Sequence, residues 1–494
     1  MRKGIVTAAG TALVSGVLLG SAYPPVGLGF MAWVALVPLL WWMEDKRPGR
    51  IFGWVFFSGF VFHLFTLSWL HRITWLGMVC AIIALSLVYA VPFWVTGIAW
   101  LRWRRYGVFL LPFAVAGIEW ARSFDVLAFP WMILGNSQAS YPWLIQYADI
   151  TSAFGVSFWV ALMNVAVYRV LKSRTLRRFA LLGALIVLPL VYSAAVINRP
   201  LPPEGTIKVA LIQGNVLPDE KWGIGRDIWN INLYRNLTAE IAASEPDFVI
   251  WPETATPVYL CEDYRFRNLV QSFVDSLGVP LLTGTPAIDY TSDEKWNAAC
   301  LIEPSGGDIQ RYAKIHLVPF GEAFPFDERF PDLRKIDLGQ ANWDEGEDFV
   351  VFEPKSLPPF NVAICFESIF PDLIRKFVKG GSNFIVVITN DVWFGPVASP
   401  IQHAMISVFR AIEFHRPVAR CANTGISMVI DRYGRIKSRT GTFERTTLVD
   451  TIEPSSRLTF YARYGNVFSA LCLTVTLLAM VVPFISRRRF SGAE

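Results

Sequence analysis

The segment Asn361-Val-Ala-Ile-Cys365-Phe-Glu367 is a short apolar run that ends in a cysteine and a glutamate. The apolar residues predict a buried strand, and its end is where α/β folds tend to present reactive groups. Two further predicted strands lead into ionisable residues, namely Glu253 in the sequence Trp-Pro-Glu-Thr and Lys314 in the sequence Tyr-Ala-Lys-Ile-His. A carboxylate, an ammonium and a thiol at three strand ends form a set suited to covalent catalysis. We therefore predict that Glu253, Lys314 and Cys365 form one site.

The sequence around this segment has the pattern of a layered domain. From residue 207 onward, short apolar runs bounded by turn residues alternate with helical stretches. Repeated strands and helices with buried β-branched runs favour an α/β or α+β sandwich. The predicted strands are 207–212, 248–251, 280–284, 298–302, 362–365 and 384–389, and the predicted helices include 227–243, 265–276 and 402–414.

The remainder of the chain is too apolar for an ordinary soluble protein. Of the 494 residues, 53% are hydrophobic and 17% are charged, against roughly 25% charged in a typical globular chain. We predict eight transmembrane helices, at 4–22, 28–43, 51–70, 75–101, 106–120, 152–170, 179–197 and 467–485. The stretch 123–150 fits either a re-entrant or interfacial piece or an ordinary loop packed on the helices.

The expected organisation has three parts. Residues 1–198 form a membrane domain with seven transmembrane helices, residues 199–464 form the α/β domain, and residues 465–494 form a last transmembrane helix with a basic tail. Alternate short loops hold sixteen Lys and Arg residues in one set and three in the other. Because basic loops stay in the cytoplasm, both termini are expected there and the α/β domain is expected outside.

Missing motifs exclude several kinds of chemistry. The sequence has no Walker phosphate loop, no Rossmann glycine fingerprint and no Gly-x-Ser-x-Gly elbow. The five His residues show no metal-ligand spacing, so we expect no metal and no cofactor. The net charge of +5 averages a basic apolar part with a mildly acidic part, and it does not indicate a nucleic-acid partner. In an oxidising compartment Cys261 and Cys300 could pair, which the sequence leaves open.

Six motifs together resemble the nitrilase superfamily, and within it the membrane-bound branch of apolipoprotein N-acyltransferases. They are Gln-Gly-Asn at 213–215 with Lys221-Trp222, Trp-Pro-Glu-Thr at 251–254, Val-Pro-Phe-Gly-Glu at 318–322, Ile-Cys-Phe-Glu at 364–367, Thr-Asn-Asp-Val-Trp-Phe-Gly at 389–395, and the strip 416–425. The resemblance covers nearly the whole chain and implies an αββα sandwich. Phe366 departs from the family, which usually has a tyrosine there, without affecting the expected chemistry.

The resemblance implies a role for each site residue. Glu253 is the expected base, Lys314 the expected oxyanion partner and Cys365 the expected nucleophile, with the backbone N–H of Phe366 as a second oxyanion donor. Glu322 is expected to orient Lys314, and Glu367 to lie near the nucleophile on the same strand face. Trp222, Trp393, Phe366 and Asn390 are the expected substrate-binding or lid residues.

The activity implied is acyl transfer at a bacterial cytoplasmic membrane, with the catalytic domain on the outer, periplasmic side. A phospholipid would donate an acyl chain to Cys365 as a thioester, and the N-terminal amine of a diacylglyceryl-modified lipoprotein would accept it. The expected state is a monomer in the membrane, with these two lipids as partners. The alternatives are a membrane-tethered amidase that hydrolyses a C–N bond, and a transporter with an outer receptor domain.

Overall fold

The chain forms two compact units. The structure, a computed structural model, describes residues 2–124, 128–199, 204–223, 225–325, 329–330, 332, 342–395 and 398–490, with side chains described from residue 5 to residue 481. One unit comprises Met1–Arg199 with Asn466–Glu494, and the other comprises Pro200–Gly465. The chain therefore leaves the first unit, forms the whole of the second and then returns to the first.

The first unit is built from apolar helices. They are α1 (Arg2–Ser21), α2 (Val37–Met43), α3 (Pro48–Leu67), α4 (Trp75–Trp103), α5 (Leu110–Ala121), α6 (Ala148–Lys172), α7 (Leu176–Ile197) and α14 (Val467–Phe490). Four stretches are long and apolar enough to cross a membrane, namely Pro48–Arg72, Trp75–Ala121, Ala148–Lys172 and Leu176–Ile197. Shorter apolar helices lie at Ile5–Ser21, Gly29–Met43 and Val467–Val481. These lengths and compositions are those of a membrane protein.

Two of the predicted transmembrane helices are shorter than expected. The stretch 28–43 contains a 3-10 turn at Gly29–Trp33 and then the seven-residue α2, which has Pro38 in its first turn. The stretch 106–120 begins in a 3-10 turn at Arg104–Phe109 and becomes regular only in the 12-residue α5. At 1.5 Å per residue, α2 and α5 cover about 10 and 18 Å, which is less than the roughly 30 Å of hydrocarbon.

The stretch 123–150 contains irregular backbone held among the helices of its own unit. Its 3-10 turns are Pro130–Met132 and Leu134–Gln138, most of whose residues are buried, while residues 125–127 lie outside the described part. Glu119 of α5 accepts a hydrogen bond from the Leu134 N–H at 2.7 Å, and Ser157 of α6 accepts one from Gly135 at 2.7 Å. These side chains satisfy backbone donors that a non-helical segment would otherwise leave unpaired.

The second unit contains two six-stranded sheets. The strands are β1 (Ile207–Gln213), β2 (Phe248–Ile250), β3 (Leu281–Asp289), β4 (Glu294–Ile302), β5 (Gln310–Ala313), β6 (Val351–Phe352), β7 (Phe360–Ile364), β8 (Phe384–Thr389), β9 (Val418–Ala422), β10 (Met428–Ile430), β11 (Ile436–Arg439) and β12 (Thr446–Ile452). The order is β12-β1-β2-β3-β4-β5 in the first sheet and β11-β10-β9-β8-β7-β6 in the second. Three adjacent interior strands of each sheet, β1-β2-β3 and β7-β8-β9, are parallel.

The described part of the second unit also contains six α-helices. They are α8 (Pro218–Lys221), α9 (Arg226–Glu240), α10 (Tyr264–Leu277), α11 (Pro371–Lys379), α12 (Ala398–Phe414) and α13 (Phe460–Tyr464). Trp251 packs between Tyr234 of α9 and Phe273 of α10 on the first sheet, while α11 and α12 pack on β7 and β9 of the second. Phe248 of β2 contacts the ring of Phe360 of β7 at 5.1 Å between centroids, so the sheets pack face to face. The result is the layered domain that the sequence predicts.

The carboxyl ends of the parallel strands β2 and β7, together with the end of β5, bring the predicted reactive residues to one edge of the sandwich. Glu253 follows β2, and Cys365 follows β7 directly. Ile364 of β7 pairs with Ile388 of β8, so Cys365 lies beside Thr389 in register. Lys314 follows β5, and its N–H donates to the Asn297 carbonyl at 2.8 Å. In the same unit, Cys261 and Cys300 form a disulfide, the pairing that the sequence leaves open.

Candidate active site

Cys365 lies in a sharp turn at the end of β7. Its backbone has a φ of +54°, in the left-handed region that costs a non-glycine residue about 1–3 kcal/mol. A 3-10 turn, Cys365–Ile369, begins at this residue and leads into α11. Only 7% of the cysteine is exposed, so its thiol is nearly enclosed by protein.

Lys314 holds a buried ammonium between two carboxylates. Its Nζ lies 2.8 Å from Glu322 and 3.6 Å from Oε1 of Glu253, and the lysine is fully buried. Glu322 also accepts a hydrogen bond from the Val318 N–H at 2.9 Å, which fixes the Val-Pro-Phe-Gly-Glu loop around the ammonium. Glu322 is therefore placed to orient Lys314, as the resemblance implies.

Glu253 is held by one hydrogen bond on each oxygen. Its Oε1 accepts from Asn297 Nδ2 at 2.8 Å, and its Oε2 accepts from the Asn390 N–H at 2.7 Å. The backbone of Glu253 packs directly against Gly284. A Cβ atom at Gly284 would lie only 2.6 Å from the Glu253 Cα, so no larger residue fits at that position. Asn390 therefore contributes its backbone to Glu253, and its side-chain Oδ1 accepts from Asn423 Nδ2 at 2.9 Å.

Asn297 is a site residue that the sequence analysis misses. Its Nδ2 donates to Glu253 at 2.8 Å and to Glu322 at 3.1 Å, so one amide links the two carboxylates that flank Lys314. The signal in the sequence is a single amide in an otherwise apolar run, immediately before the predicted strand 298–302. Nothing in that signal indicates which residues the amide contacts.

Glu367 joins the turn of the nucleophile to the segment of the lysine. Its Oε1 accepts from the Tyr312 hydroxyl at 2.6 Å and the Ile315 N–H at 2.7 Å, and its Oε2 accepts from the Ile364 N–H at 2.7 Å. The sequence predicts that Glu367 shares a strand face with the nucleophile, and this prediction is wrong. The strand ends at Ile364, and Glu367 lies in the 3-10 turn that follows. The fully buried carboxylate thus ties both segments together.

Burial sets the protonation of the three central groups. Burial raises the pKa of the Cys365 thiol well above its usual value, with the Glu253 charge adding to the effect. Burial also raises the pKa of Glu253, although Lys314 opposes this. For Lys314, burial lowers the pKa, but Glu322, Glu253 and Cys365 together more than reverse the effect and leave it raised. The site therefore holds a protonated thiol, a permanent ammonium and a carboxyl group of increased basicity.

Lys221 supplies a second buried cation near Glu253. The lysine is 3% exposed, and among the described residues its Nζ has no hydrogen-bond partner. Burial lowers its pKa to about 8, against the attraction of Glu253. In the sequence it stands out only as the neighbour of Trp222 in a motif.

The remaining expected residues differ in exposure. Phe366 is buried directly after the nucleophile, with its ring centroid 5.1 Å from that of Phe370. Trp222 follows α8 and is 51% exposed. Trp393 is half-buried in a 3-10 turn, Asp391–Phe394, that follows β8. A lid role for the two tryptophans remains a prediction.

A sulfur, a carboxylate and an imidazole also cluster beside the nucleophile. Cys365, Asp391 and His403 present potential ligand atoms that all lie within 4.8 Å of one another, a donor set suited to zinc. The Arg420 guanidinium contacts Asp391 at 3.1 Å and His403 at 3.0 Å. Because this guanidinium already supplies the positive charge, a metal ion there would face a buried cation.

Comparison with known proteins gives matches along nearly the whole chain. Residues 15–166 match the family model for the apolipoprotein N-acyltransferase N-terminal domain, and residues 208–459 match that for carbon-nitrogen hydrolase. The chain is 34% identical to apolipoprotein N-acyltransferase of Geobacter metallireducens, over 96% of this chain and 94% of the relative. It is 33% identical to that of Chlorobaculum tepidum, over 96% of both chains. Among solved structures, Saccharomyces cerevisiae Nit3, a member of branch 10 of the nitrilase superfamily, is 18% identical with a TM-score of 0.40, over 51% of this chain and 92% of Nit3.

Proposed function

The chain belongs to the apolipoprotein N-acyltransferase family, and from this premise we propose that it acylates lipoproteins through a thioester on Cys365. The donor is a membrane phospholipid, and the acceptor is the N-terminal amine of a diacylglyceryl-modified cysteine. The observation that carries this proposal is the buried set of Glu253, Lys314 and Cys365, in which Nζ of Lys314 lies 3.6 Å from Oε1 of Glu253. A base, a cation and a thiol are the groups that acyl transfer through a thioester requires.

In the first half-reaction Cys365 takes the acyl chain. Because the pKa of the thiol is raised by burial, the thiol is protonated at rest and needs a base. Glu253 accepts the thiol proton while the sulfur attacks the ester carbonyl carbon of the phospholipid. Lys314 and the backbone N–H of Phe366 stabilise the negative oxygen of the tetrahedral intermediate. The carbon–oxygen bond then breaks, and Glu253 returns its proton to the departing alcohol of the lysophospholipid.

In the second half-reaction the lipoprotein amine takes the acyl chain from the thioester. The neutral amine attacks the thioester carbonyl, and Glu253 accepts a proton from the nitrogen. The same two donors stabilise the oxyanion again, and the carbon–sulfur bond breaks. The sulfur leaves as the thiol once the proton on Glu253 has been returned to it, so the site regains its starting state. Water has to be excluded from the acyl-enzyme, which agrees with the deep burial of Cys365.

We propose that the membrane unit gives the site access to a lipid ester. Withdrawing an acyl chain from the bilayer costs about 0.8 kcal/mol per exposed CH₂ group, which a soluble enzyme would have to supply. We propose that the apolar helices of the first unit form eight spans, with both termini in the cytoplasm and the catalytic domain on the periplasmic side of the inner membrane. The distribution of basic loops supports this orientation. The disulfide between Cys261 and Cys300 also supports it, because disulfides persist in oxidising compartments.

One chain is sufficient for this chemistry. Glu253, Lys314 and Cys365 all belong to the second unit of a single chain, so the proposal needs no partner subunit and the enzyme is proposed to act as a monomer. A membrane-tethered amidase would use the same three residues with water as the acceptor. The relatives named apolipoprotein N-acyltransferase over 96% of the chain favour lipid acyl transfer over that alternative.

The test is the mass of the purified protein after incubation with phospholipid. We expect one acyl adduct on Cys365 that hydroxylamine removes, and none in Cys365→Ala. Adding a diacylated lipopeptide should remove the adduct and increase the peptide mass by the same acyl group. Absence of an adduct in the parent protein, or an adduct that persists in Cys365→Ala, would overturn the proposal. Release of free fatty acid with no gain by the lipopeptide would favour a hydrolase.

A further inference from the structure

Helix α12 places a buried histidine directly behind the nucleophile. Nε2 of His403 lies 3.1 Å from the carbonyl oxygen of Cys365 and 3.0 Å from Oγ of Ser368. The Ser368 hydroxyl donates to the same Cys365 carbonyl at 2.8 Å. His403 and Ser368 are both fully buried. Two side chains therefore converge on the backbone oxygen of the residue that carries the thiol.

Two further buried side chains contact the opposite edge of the imidazole, and a third holds one of them in place. Nδ1 of His403 lies 2.9 Å from Oδ1 of Asp391 and 3.0 Å from Nη2 of Arg420. Arg420 also donates to Oδ2 of Asp391 at 3.1 Å, and Thr389 donates to Oδ1 at 2.9 Å. The ring is consequently held at both edges by groups with no exposure to solvent.

We assign the ring hydrogen of the neutral imidazole to Nε2, because this tautomer gives each ring nitrogen a suitable partner. A carbonyl oxygen only accepts, so Nε2 donates to the Cys365 carbonyl, while Nδ1 accepts from Nη2 of Arg420, which only donates. The Asp391 carboxylate beside Nδ1 receives its hydrogens from Arg420 and Thr389. The Ser368 hydroxyl uses its own hydrogen on that carbonyl, so its oxygen is an acceptor toward the ring. Both donors to the Cys365 carbonyl are therefore provided by buried side chains whose own positions are fixed.

The backbone of Cys365 needs such support. With a φ of +54° the residue is in a conformation that persists only when the surroundings hold it there. We propose that His403 is a positioning residue, which acts through the carbonyl of Cys365 to hold the thiol toward Glu253 and Lys314. Asp391 and Arg420 hold the imidazole in turn. This role rests on the proposed function of Cys365 and adds to it a residue outside the triad.

Two substitutions of His403 separate positioning from packing. In His403→Gln the side-chain amide nitrogen reaches the place of Nε2 and keeps a donor for the Cys365 carbonyl. In His403→Asn the shorter amide reaches only the place of Nδ1, toward Asp391, and that donor is lost. A matched control is Ser407→Ala on the same helix, because the Ser407 hydroxyl is buried and has no hydrogen-bond partner among the described residues.

The readouts are the alkylation rate of Cys365 by iodoacetamide, the single-turnover acylation rate and the thermal-unfolding midpoint. We expect His403→Asn to slow both reactions of Cys365 by about 10-fold or more, since small misplacements of a reacting group have effects of this size. His403→Gln and Ser407→Ala should stay within about 3-fold of the parent, a difference that corresponds to well under 1 kcal/mol. Because alkylation needs no lipid, it tests the positioning role even if no acyl adduct forms.

Equal alkylation rates in the Gln and Asn variants, with both folded, would overturn the proposal. So would a parental rate in His403→Asn. If neither variant folds, Ser368→Ala tests the proposal instead. It removes the hydroxyl that donates to the Cys365 carbonyl and leaves the imidazole in place. Slower alkylation in Ser368→Ala with an unchanged unfolding midpoint supports positioning through this carbonyl, and a parental alkylation rate contradicts it.

Discussion

The Lys314 ammonium lies 2.8 Å from Glu322 but 3.6 Å from Oε1 of Glu253. The lysine is thus hydrogen-bonded to the glutamate that has no proposed part in proton transfer. Glu253 is held by Asn297 and by the Asn390 N–H, two neutral donors. A base that must accept a proton is favoured by neutral partners, because a close cation would lower its basicity. Glu322 therefore neutralises Lys314 and leaves Glu253 available to the thiol.

Glu322→Gln should slow acylation of Cys365 by about 10- to 100-fold, the range expected when a buried charged hydrogen bond worth roughly 1.5–3 kcal/mol is lost. Lys314 would then turn toward Glu253, the remaining carboxylate within its reach, and lower the basicity of that group. Single-turnover acylation followed by intact mass measures the change. Glu262→Gln is the control, because Glu262 is paired with Arg311 at 2.7 Å in the same unit and outside the site. Equal rates in the two variants would contradict the proposed division of roles.

Glu253→Gln and Lys314→Met should each slow acylation by at least about 100-fold while phospholipid affinity changes little. Both residues stabilise the transition state more than the bound substrate, so the loss falls on the chemical step. Because they act on one step with Cys365, combining the substitutions should cost much less than the sum of the single losses. The measurement is single-turnover acylation beside equilibrium lipid binding. A parental acylation rate in either variant would remove that residue from the triad.

The acylation rate should fall at low pH because Glu253 becomes protonated. Burial raises the pKa of Glu253, so the carboxylate form needed as a base is lost at a higher pH than for an ordinary glutamate. The acylation rate should therefore rise with pH through a midpoint above the usual range of a glutamate side chain. Asn297→Ala removes a hydrogen bond that lowers the pKa of Glu253, so the midpoint should move to still higher pH. A midpoint that stays fixed, or moves to lower pH, would show that another group controls the acid limb.

The sequence predicts the reactive residues better than the residues that hold them in position. Glu253 and Cys365 can be found because each follows a recognisable apolar strand, and parallel strands present their carboxyl ends at one edge. Lys314 follows a short strand of mixed polarity, Gln310–Ala313, so its motif indicates it better than the strand pattern does. Asn297 and His403 cannot be found in this way, because their roles depend on contacts between segments that are 44 and 38 residues apart. For the same reason the prediction that Glu367 shares a strand face with the nucleophile is wrong, because Glu367 lies in a turn stabilised by tertiary hydrogen bonds.

Arg420 shows what a local pattern can and cannot indicate. A lone arginine within the apolar strand Val418–Ala422 signals a buried charge that must have a partner. Only the fold shows that this partner is Asp391, which follows the neighbouring strand. In the first unit, hydropathy finds each apolar stretch, but it does not register the 3-10 turns that shorten α2 and α5.

Glu367→Ala should destabilise the second unit by on the order of 3 kcal/mol, since it leaves several buried donors without an acceptor. These donors are the Tyr312 hydroxyl and the N–H groups of Ile315 and Ile364. Glu367→Gln keeps one oxygen acceptor and should lose about half as much. The measurement is the thermal-unfolding midpoint, with Glu303→Ala as the control because Glu303 is partly exposed and accepts from the Lys355 N–H at 2.8 Å. Equal midpoints in Glu367→Ala and the control would show that the carboxylate does not support the fold.

A reporter that works only outside the cytoplasm should be active when fused after residue 300, and inactive when fused after residue 47. The first position lies in the catalytic unit, and the second lies just before α3 in the basic stretch with Lys46 and Arg50, which the positive-inside rule places in the cytoplasm. An independent readout is the pair of peptides containing Cys261 and Cys300, which should be recovered linked when reduction is omitted. Linkage requires an oxidising compartment, so it tests the orientation without any fusion. Reporter activity at residue 47 and not at residue 300, together with free thiols at both cysteines, would reverse the proposed orientation and leave the catalytic unit facing the cytoplasm.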